Sequence, residues 1–346
     1  MKLKKEIKKY SALTVALLLL ATVPLGAHAS GTELVPMGNT IGILMNTDGV
    51  MVAGLSATNS GTAPSPAAKA GILPGDLITG IAGDEIANAE DFRKAIAKTN
   101  GEAVALTIER DGETMQMTVE LDMASGVPEI GLWLRDSISG IGTMTYYNPK
   151  TGEYGGLGHS ISDAESGALI PLGRGDIMRS VVVEVVPSSA GKPGELHGIF
   201  DMNAVCGSIL QNTSCGIFGK LNQGIPVSDK AIPIATEAET ELGAATILSN
   251  ISGSDIEEFD VEIVRLYKND ISGRSMMIKI CDEDLIRRTG GIVQGMSGSP
   301  IIQNGKLIGA VTHVLINEPT KGFGVSLEKM LNQSKGNNTN IPEEAA

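Results

Sequence analysis

The chain has 346 residues and a formal net charge of −13 at pH 7. Nucleic-acid-binding domains need a basic face toward phosphate, so this acidic balance argues against that class of protein. It also argues against binding to an anionic membrane surface. Aromatic residues make up 3% of the chain whereas 43 residues are glycine, which indicates many turns and therefore β structure.

The first 29 residues follow the three-part plan of a secretory signal. A lysine-rich start precedes an apolar run over residues 11–26, and Ala27-His28-Ala29 fits a small-x-small cleavage site. The apolar run is shorter than the roughly 20 residues that span a bilayer comfortably. We therefore expect a signal peptide or signal anchor over residues 1–29 and an exported chain.

Three cysteines, Cys206, Cys215 and Cys281, bear on the stability of an exported chain. A disulfide between Cys206 and Cys215 is one option, and the odd number leaves one thiol over. We expect the stability to come from the hydrophobic core rather than from disulfides.

Residues 32–123 alternate short strands with two helices. Pro66 and Gly71 stand where a helix prefers to begin and end, and Phe92 and Ile96 share one face of an amphipathic helix. The predicted helices cover residues 65–71 and 89–98, and the predicted strands cover residues 40–44, 49–55, 77–81, 104–110 and 115–121.

This segment resembles a PDZ domain of the kind attached to bacterial exported proteases, most specifically over residues 65–78 and the helix that begins near Glu90. PDZ domains bind an extended peptide by adding it to a sheet edge. The resemblance implies that the helix at residues 91–98 forms one wall of the groove. It also implies a carboxylate-binding loop made of Ile41, Gly42, Ile43 and Leu44.

Residues 125–333 contain many short strands separated by glycine turns, which is typical of a barrel or sandwich. The clearest strands cover residues 130–134, 142–146, 180–186, 261–266 and 276–280. We expect a mainly β protein with a signal segment, an α+β PDZ domain and a trypsin-like double β-barrel peptidase domain. Residues 334–346 are polar, and we expect a disordered tail there.

The chemistry of this second domain centres on residues 290–300, where Ser297 lies between glycines on a tight turn. Asn304-Gly305 joins the two apolar runs that follow, which predicts a β-hairpin beside the turn. Glycine permits the dihedrals that aim backbone N–H groups at an oxyanion. The turn looks like the Gly-Asp-Ser-Gly-Gly-Pro turn of trypsin-like proteases, with Met296 and Ser299 as departures. A glycine-serine loop without chemistry is the alternative.

A serine nucleophile needs a base, and His159, His197 and His313 are the histidines beyond the predicted cleavage point. His159 lies in a glycine-rich turn where an imidazole can remain accessible, so it is the best candidate. A carboxylate must then fix the tautomer of the imidazole. The spacing leaves four candidates for this role: Asp163, Asp176, Asp282 and Asp284.

Residues 289–305 and 309–314 resemble the SpoIVB peptidases, exported serine proteases of endospore-forming bacteria. The resemblance covers nearly the whole chain, from signal through PDZ domain to peptidase domain. It implies that Ser297 is the nucleophile, that His159 in Gly-His-Ser-Ile-Ser-Asp is the base, and that Asp282 is the acid. We expect the backbone N–H groups of Gly295 and Ser297 to form the oxyanion hole.

The resemblance also implies a biological role. Such enzymes are exported to the space between the forespore membranes, where they cleave themselves and regulators of an intramembrane metalloprotease that processes a late sigma factor. The expected partners are protein or peptide substrates and the enzyme's own N-terminal segment. We expect no cofactor, no metal and no nucleic acid, and membrane contact through the N-terminal segment only.

Two competing hypotheses belong to other functional classes. One is a PDZ adaptor whose barrel has lost activity. The other is a metal-dependent enzyme that uses His159, His197, Cys206 and Cys215. It is disfavoured because these residues lack compact ligand spacing.

Overall fold

A computed structural model describes residues 32–336, except residues 62, 100, 102, 223, 224, 229, 269, 271 and 272. The predicted signal segment lies outside the described residues, as does most of the predicted tail. Among the helices of the described part, none combines the length and apolar character that crossing a membrane requires.

The described chain is built mainly of β-strands, as predicted. The strands are β1 (Glu33–Pro36), β2 (Thr40–Leu55), β3 (Leu77–Ile81), β4 (Asp84–Glu85), β5 (Val104–Arg110), β6 (Glu113–Val119), β7 (Leu132–Tyr147), β8 (Glu153–Gly156), β9 (Arg174–Val186), β10 (Glu195–Thr213), β11 (Gly216–Leu221), β12 (Ile232–Pro233), β13 (Gly243–Ser252), β14 (Asp255–Leu266), β15 (Met276–Ile280), β16 (Pro300–Gln303), β17 (Lys306–Val314) and β18 (Lys321–Ser326). The helices are α1 (Pro66–Ala70), α2 (Ala89–Lys98), α3 (Glu283–Thr289) and α4 (Leu327–Ser334), with a 3-10 turn at Glu237–Glu239.

The strands close two barrels, which confirms the predicted double β-barrel. In the C-terminal barrel the strands pair in the order β13-β14-β15-β18-β17-β16 and close. In the N-terminal barrel the order is β2-β9-β10-β11-β8-β7, and pairing of β7 with β2 completes the ring. Fully buried aliphatic side chains such as Ile41 and Ile177 fill the N-terminal barrel, and Ile247 and Val311 fill the other.

Two strands of the N-terminal barrel, β2 and β7, continue into the PDZ-like sheet. Beyond an irregularity after Asn46, Val52 of β2 pairs with Leu134 of β7. β3, β5 and β6 complete this sheet beside β2, and β4 pairs with β3. The sequence predicted two separate apolar strands, at residues 40–44 and 49–55. The structure instead has one strand of 16 residues, with an irregular pairing to β7 between Asn46 and Met51.

Local sequence signals account well for the shorter elements. The side chain of Ser65 accepts the Ala68 N–H at the start of α1, and Gly71 ends that helix in the left-handed region with φ of 84°. Asn304 and Gly305 have φ values of 52° and 73°, as the predicted hairpin between β16 and β17 requires. Helix α3 was not predicted, because its seven residues are too few to show a clear periodicity.

The three cysteines, Cys206, Cys215 and Cys281, are free thiols in the structure. Cys206 and Cys215 are buried in the cores around the N-terminal barrel, where they act as small apolar side chains. The optional disulfide between them is therefore not formed here.

Candidate active site

A cavity of about 460 Å³ lies between the two barrels and contains the predicted nucleophile and base. Ser297 and His159 both line it. Ile43 and Ile141 contribute from the N-terminal barrel, and Thr312 contributes from strand β17 of the other. A cleft where side chains of two rigid barrels converge is a suitable place for catalysis.

Ser297 lies on a tight turn between α3 and β16 that leaves two amides available. Met296 N–H donates to Val293 O at 3.1 Å and Ser299 N–H donates to Met296 O at 2.9 Å. Within the described part of the chain, the N–H groups of Gly295 and Ser297 have no acceptor. Gly295 has φ of 96°, a left-handed value that glycine adopts readily. Both residues line the cavity, so their amides are available to an oxyanion, and their role in an oxyanion hole stays a prediction.

Thr143 of β7 holds the serine turn in place through two hydrogen bonds. This residue was not identified from the sequence. Its N–H donates to Ser297 O at 2.9 Å, and its Oγ1 donates to Gly295 O at 2.7 Å. Its carbonyl accepts the Leu157 N–H at 3.1 Å, two residues before His159. One residue of β7 thus joins the turns that carry the predicted nucleophile and the predicted base. No local motif marks it, because its hydrogen bond to Gly295 spans 152 residues along the chain.

The hydroxyl of Ser297 donates to the carbonyl oxygen of Thr312 at 2.5 Å. The hydrogen bonds of the described residues include none between Ser297 and His159. The predicted roles would therefore require the Ser297 side chain to leave Thr312 before His159 takes its proton.

His159 is presented by a left-handed turn, with φ of 67° at Leu157 and 73° at Gly158. Its Nδ1 lies 2.7 Å from the Ser160 carbonyl oxygen, so Nδ1 carries the proton and donates to it. This tautomer leaves the Nε2 lone pair available as a base. Burial lowers the pKa of His159, partly offset by the bond to Ser160, so the imidazole is neutral near pH 7.

The four carboxylates considered for the orienting role have other partners. Asp282 caps α3, where its Oδ1 accepts the Leu285 N–H at 2.8 Å, and it does not line the cavity. Asp176 pairs with Arg174 at 3.0 Å. The ion pairs of the other two are Asp284 with Arg287 and Arg288, and Asp163 with Arg135. The acid role of Asp282 stays a prediction that these contacts do not support, because a helix start competes strongly for its carboxylate.

Asp163 nevertheless supports the histidine loop. Its buried carboxylate lies 3.0 Å from the guanidinium of Arg135 on β7 and accepts bonds from the Glu165 and Ser166 amides. Those bonds and Arg135 hold the pKa of Asp163 below its usual value in spite of burial. The loop that carries His159 is thus tied to β7 a second time.

A second histidine, His313, packs against the base. The ring centroids of His159 and His313 lie 4.8 Å apart, and the rings are tilted by 40°. Desolvation beside the cavity, with smaller effects of His159 and Arg274, lowers the pKa of His313 to about 4, although the residue is partly exposed. The pair is therefore uncharged near pH 7. His197 lies elsewhere, exposed between Glu184 and Glu195, and those carboxylates raise its pKa.

The residues predicted to form the peptide-binding loop of the PDZ domain lie within a strand in the structure. Ile41, Gly42, Ile43 and Leu44 lie in the middle of the N-terminal barrel, where β7 pairs with one edge of β2 and β9 with the other. An added strand needs free backbone groups at an edge, and this segment has none to offer. The prediction is corrected on that ground.

The PDZ-like sheet has a different groove, between α2 and β7. Its volume is about 450 Å³, and it is lined by Ala89, Phe92, Arg93, Ile96 and Ala97 of α2 and by Val127, Pro128, Ile130, Leu132 and Leu134. In the described structure, Leu132–Arg135 pairs with β2 on one edge only. The free edge makes this groove the better candidate for an extended peptide.

Comparison with known proteins identifies the family. Residues 127–331 match the family model described as SpoIVB peptidase S55, and residues 41–121 match the model of the PDZ domain. The first match covers more than half of the chain. The chain belongs to the SpoIVB peptidase S55 family. Membership makes it a serine endopeptidase, and its PDZ domain implies binding of peptide or protein substrates.

Solved structures give weaker similarities to this SpoIVB peptidase. The Rv3671c protease from M. tuberculosis in its active form is 17% identical over 57% of this chain and 74% of that chain, with a TM-score of 0.32. The thermostable serine protease AL20 from an extremophilic microorganism is 13% identical over 58% and 92%, with a TM-score of 0.32. The PDZ domain of the SdrC-like protein from Listeria monocytogenes is 31% identical over 25% and 87%, with a TM-score of 0.21. The curated proteins contain no match.

Among the described residues, no three His, Cys, Asp or Glu side chains form a group that could hold a metal ion.

Proposed function

We propose that this SpoIVB peptidase is an exported sporulation endopeptidase that cleaves itself and regulatory proteins between the forespore membranes, and so triggers intramembrane proteolysis and late sigma-factor activation. The observation that carries the catalytic part is the cavity in which Ser297, His159 and two unpaired amides meet. The location, the sporulation pathway and the substrates rest on family membership.

The proposed reaction is acyl transfer. Ser297 rotates away from Thr312, and its hydroxyl donates to Nε2 of His159 as Oγ attacks the scissile carbonyl. The oxyanion accepts hydrogen bonds from the amides of Gly295 and Ser297, and the removal of one such donor typically costs about 10²–10³ in rate. The imidazolium then protonates the leaving amine. Water, activated by the neutral imidazole, hydrolyses the acyl-enzyme.

The Ser160 carbonyl orients His159 in this mechanism. A carbonyl fixes the tautomer, but it stabilises the imidazolium less than a carboxylate does. The family-implied participation of Asp282 would require its side chain to leave the cap of α3.

A fluorophosphonate serine-hydrolase probe tests the assignment of the nucleophile. We expect the purified chain to become labelled and to cleave itself, and Ser297→Ala to do neither. The matched control is Ser299→Ala, two residues along the same turn, where the hydroxyl is buried and donates to Ser249 Oγ. Labelling that survives Ser297→Ala, or is lost only in Ser299→Ala, would contradict the assignment.

A second candidate function is the PDZ adaptor without activity, which is favoured by the hydrogen bond from Ser297 to Thr312. The same experiment separates the two functions. A folded chain that is never labelled, even with added peptide substrate, would favour the adaptor.

A further inference from the structure

Resting on the proposed function, we propose that the cavity beside Ser297 binds an uncharged apolar side chain of the substrate. The side chain would belong to the residue that supplies the scissile carbonyl. The structure assigns Val314 and Ile316 as the accessible part of this subsite.

Two chain segments that flank the nucleophile line the cavity with aliphatic side chains. Ile292 and Val293 precede the serine turn, and Val314 and Ile316 follow Thr312, whose carbonyl holds the Ser297 hydroxyl. When the scissile carbonyl lies on the amides of Gly295 and Ser297, the side chain next to it must lie within a few ångströms of these walls. The lining also includes the aliphatic side chains of Ile138, Ile141 and Ile161, and its polar members, such as Ser139, Ser162 and Gln294, are uncharged.

The cavity has no formal charge to offer a charged substrate. Among the described residues that line it there is no Asp, Glu, Lys or Arg, and its only titratable side chains are His159 and His313. Desolvation lowers the pKa of both histidines. Arg274, which lies near His313, packs over the ring of Phe323 and does not line the cavity. A charged side chain would therefore lose its hydration without gaining a partner.

The neighbouring surface shows that the apolar character is local. A second cavity of about 460 Å³ adjoins the first and is lined in addition by Glu195 and His197. The two cavities share Ser139, Gly140, Ile141, Gln294 and Gly295. Glu195 and His197 line this second cavity and do not line the first. A volume of 460 Å³ falls within the roughly 300–1,000 Å³ of pockets that bury small ligands, so the first cavity has room for a branched or aromatic side chain.

Peptide substrates that differ only at the residue before the scissile bond test the subsite. A library of unfolded peptides first identifies a cleaved sequence by mass spectrometry, and kcat/KM is then measured with each residue at that position. We expect values for Leu, Ile, Val, Met or Phe to exceed those for Lys, Arg, Asp or Glu by about 10²-fold. A charged residue at the top of the ranking would overturn the inference and leave the protease assignment intact. Absence of both cleavage and probe labelling would instead overturn the proposed function.

A charge introduced at the exposed edge of the cavity tests whether Ile316 belongs to the subsite. Ile316 is 54% exposed, so Ile316→Asp does not bury a charge in the free enzyme. We expect it to raise kcat/KM for Lys and Arg substrates about fivefold, the effect of one partly exposed ion pair, and to lower it for Leu. The control is Ile199→Asp on β10, which is 63% exposed and does not line the cavity. An unchanged ranking in Ile316→Asp, or the same change in the control, would overturn the assignment.

Discussion

The resemblance predicted that the carboxylate of Asp282 orients His159, but the group that contacts Nδ1 of His159 in the structure is a backbone carbonyl. Nδ1 of His159 donates to the Ser160 carbonyl, and Asp282 caps α3 through the Leu285 N–H. Local chemistry explains the difference, because a carboxylate at a helix start satisfies an otherwise unpaired amide.

Asp282→Asn separates the two roles, because asparagine caps a helix about as well as aspartate. From the contacts, we expect kcat to change less than fivefold and the free energy of unfolding to change by less than about 1 kcal/mol. If Asp282 moves to complete a triad, kcat should instead fall by about 10⁴-fold, the loss seen when a triad aspartate becomes asparagine. Steady-state kinetics with a peptide substrate distinguish these outcomes, with Asp284→Asn as the matched control on the same helix.

The pH dependence of activity should reflect the burial of His159. The base must be neutral, and its pKa is lowered from 6.5, so we expect the acid limb of kcat/KM to have its midpoint below pH 6.5. A midpoint above 6.5 would contradict the burial of this imidazole.

His313 should make the free energy of unfolding depend on pH in the acid range. An unfolded histidine takes up its proton near pH 6.5, whereas folded His313 does so near pH 4. The unfolded state therefore binds more protons between these values, and the free energy of unfolding should fall as the pH is lowered from 6.5 to about 4. Urea unfolding at several pH values measures this, and His313→Gln should show a shallower fall than the parent chain.

At the scale of elements, β7 positions the catalytic residues. Thr143 contacts both the serine turn and the chain before His159, and Arg135 pairs with Asp163 in the histidine loop. The same strand forms one wall of the groove beside α2. Peptide bound in that groove would therefore contact the element that holds the catalytic turns.

Thr143→Val tests this positioning with a side chain of similar shape. It removes the hydroxyl that holds the Gly295 carbonyl, which should lower the free energy of unfolding by about 1–3 kcal/mol. Because the Gly295 amide then loses its fixed orientation, we expect kcat to fall by roughly 10–10²-fold with little change in KM. The control is Thr145→Val, which removes the equivalent bond to Gly298 O and should lower the stability similarly but kcat less. Equal kcat losses would argue against a specific role of Thr143.

At the scale of the whole molecule, the PDZ-like sheet and the N-terminal barrel share β2 and β7. The boundary between residues 123 and 125 remains a prediction, but the first half of β2 completes the barrel. It contributes the buried side chains of Ile41, Ile43 and Met45 and pairs with both β7 and β9.

A chain that begins at residue 125 should therefore not fold into an active peptidase. Loss of β2 opens the barrel and leaves two unpaired strand edges, which promote aggregation. Size-exclusion chromatography and circular dichroism, compared with a chain that begins at residue 30, measure the outcome. A monomeric, active 125–346 fragment would show that the two domains are independent.

The sequence alone determined the features that depend on local chemistry. These are the two helices of the PDZ segment, the Asn304-Gly305 hairpin, the glycine turn of Ser297 and the glycine-containing turn that carries His159. Each depends on capping, glycine dihedrals or periodicity within a few residues, and such signals are complete in a short stretch of sequence.

Only the tertiary structure decided which strand edges are free and which group orients the base. Ile41 to Leu44 look like a binding loop in the sequence, but β9 occupies the edge that a peptide would need. Thr143 and Arg135 carry no motif, and their roles come from pairing between distant strands. These features depend on contacts between residues that are far apart in the chain. Such contacts form only when the barrels close, so local sequence patterns do not reveal them.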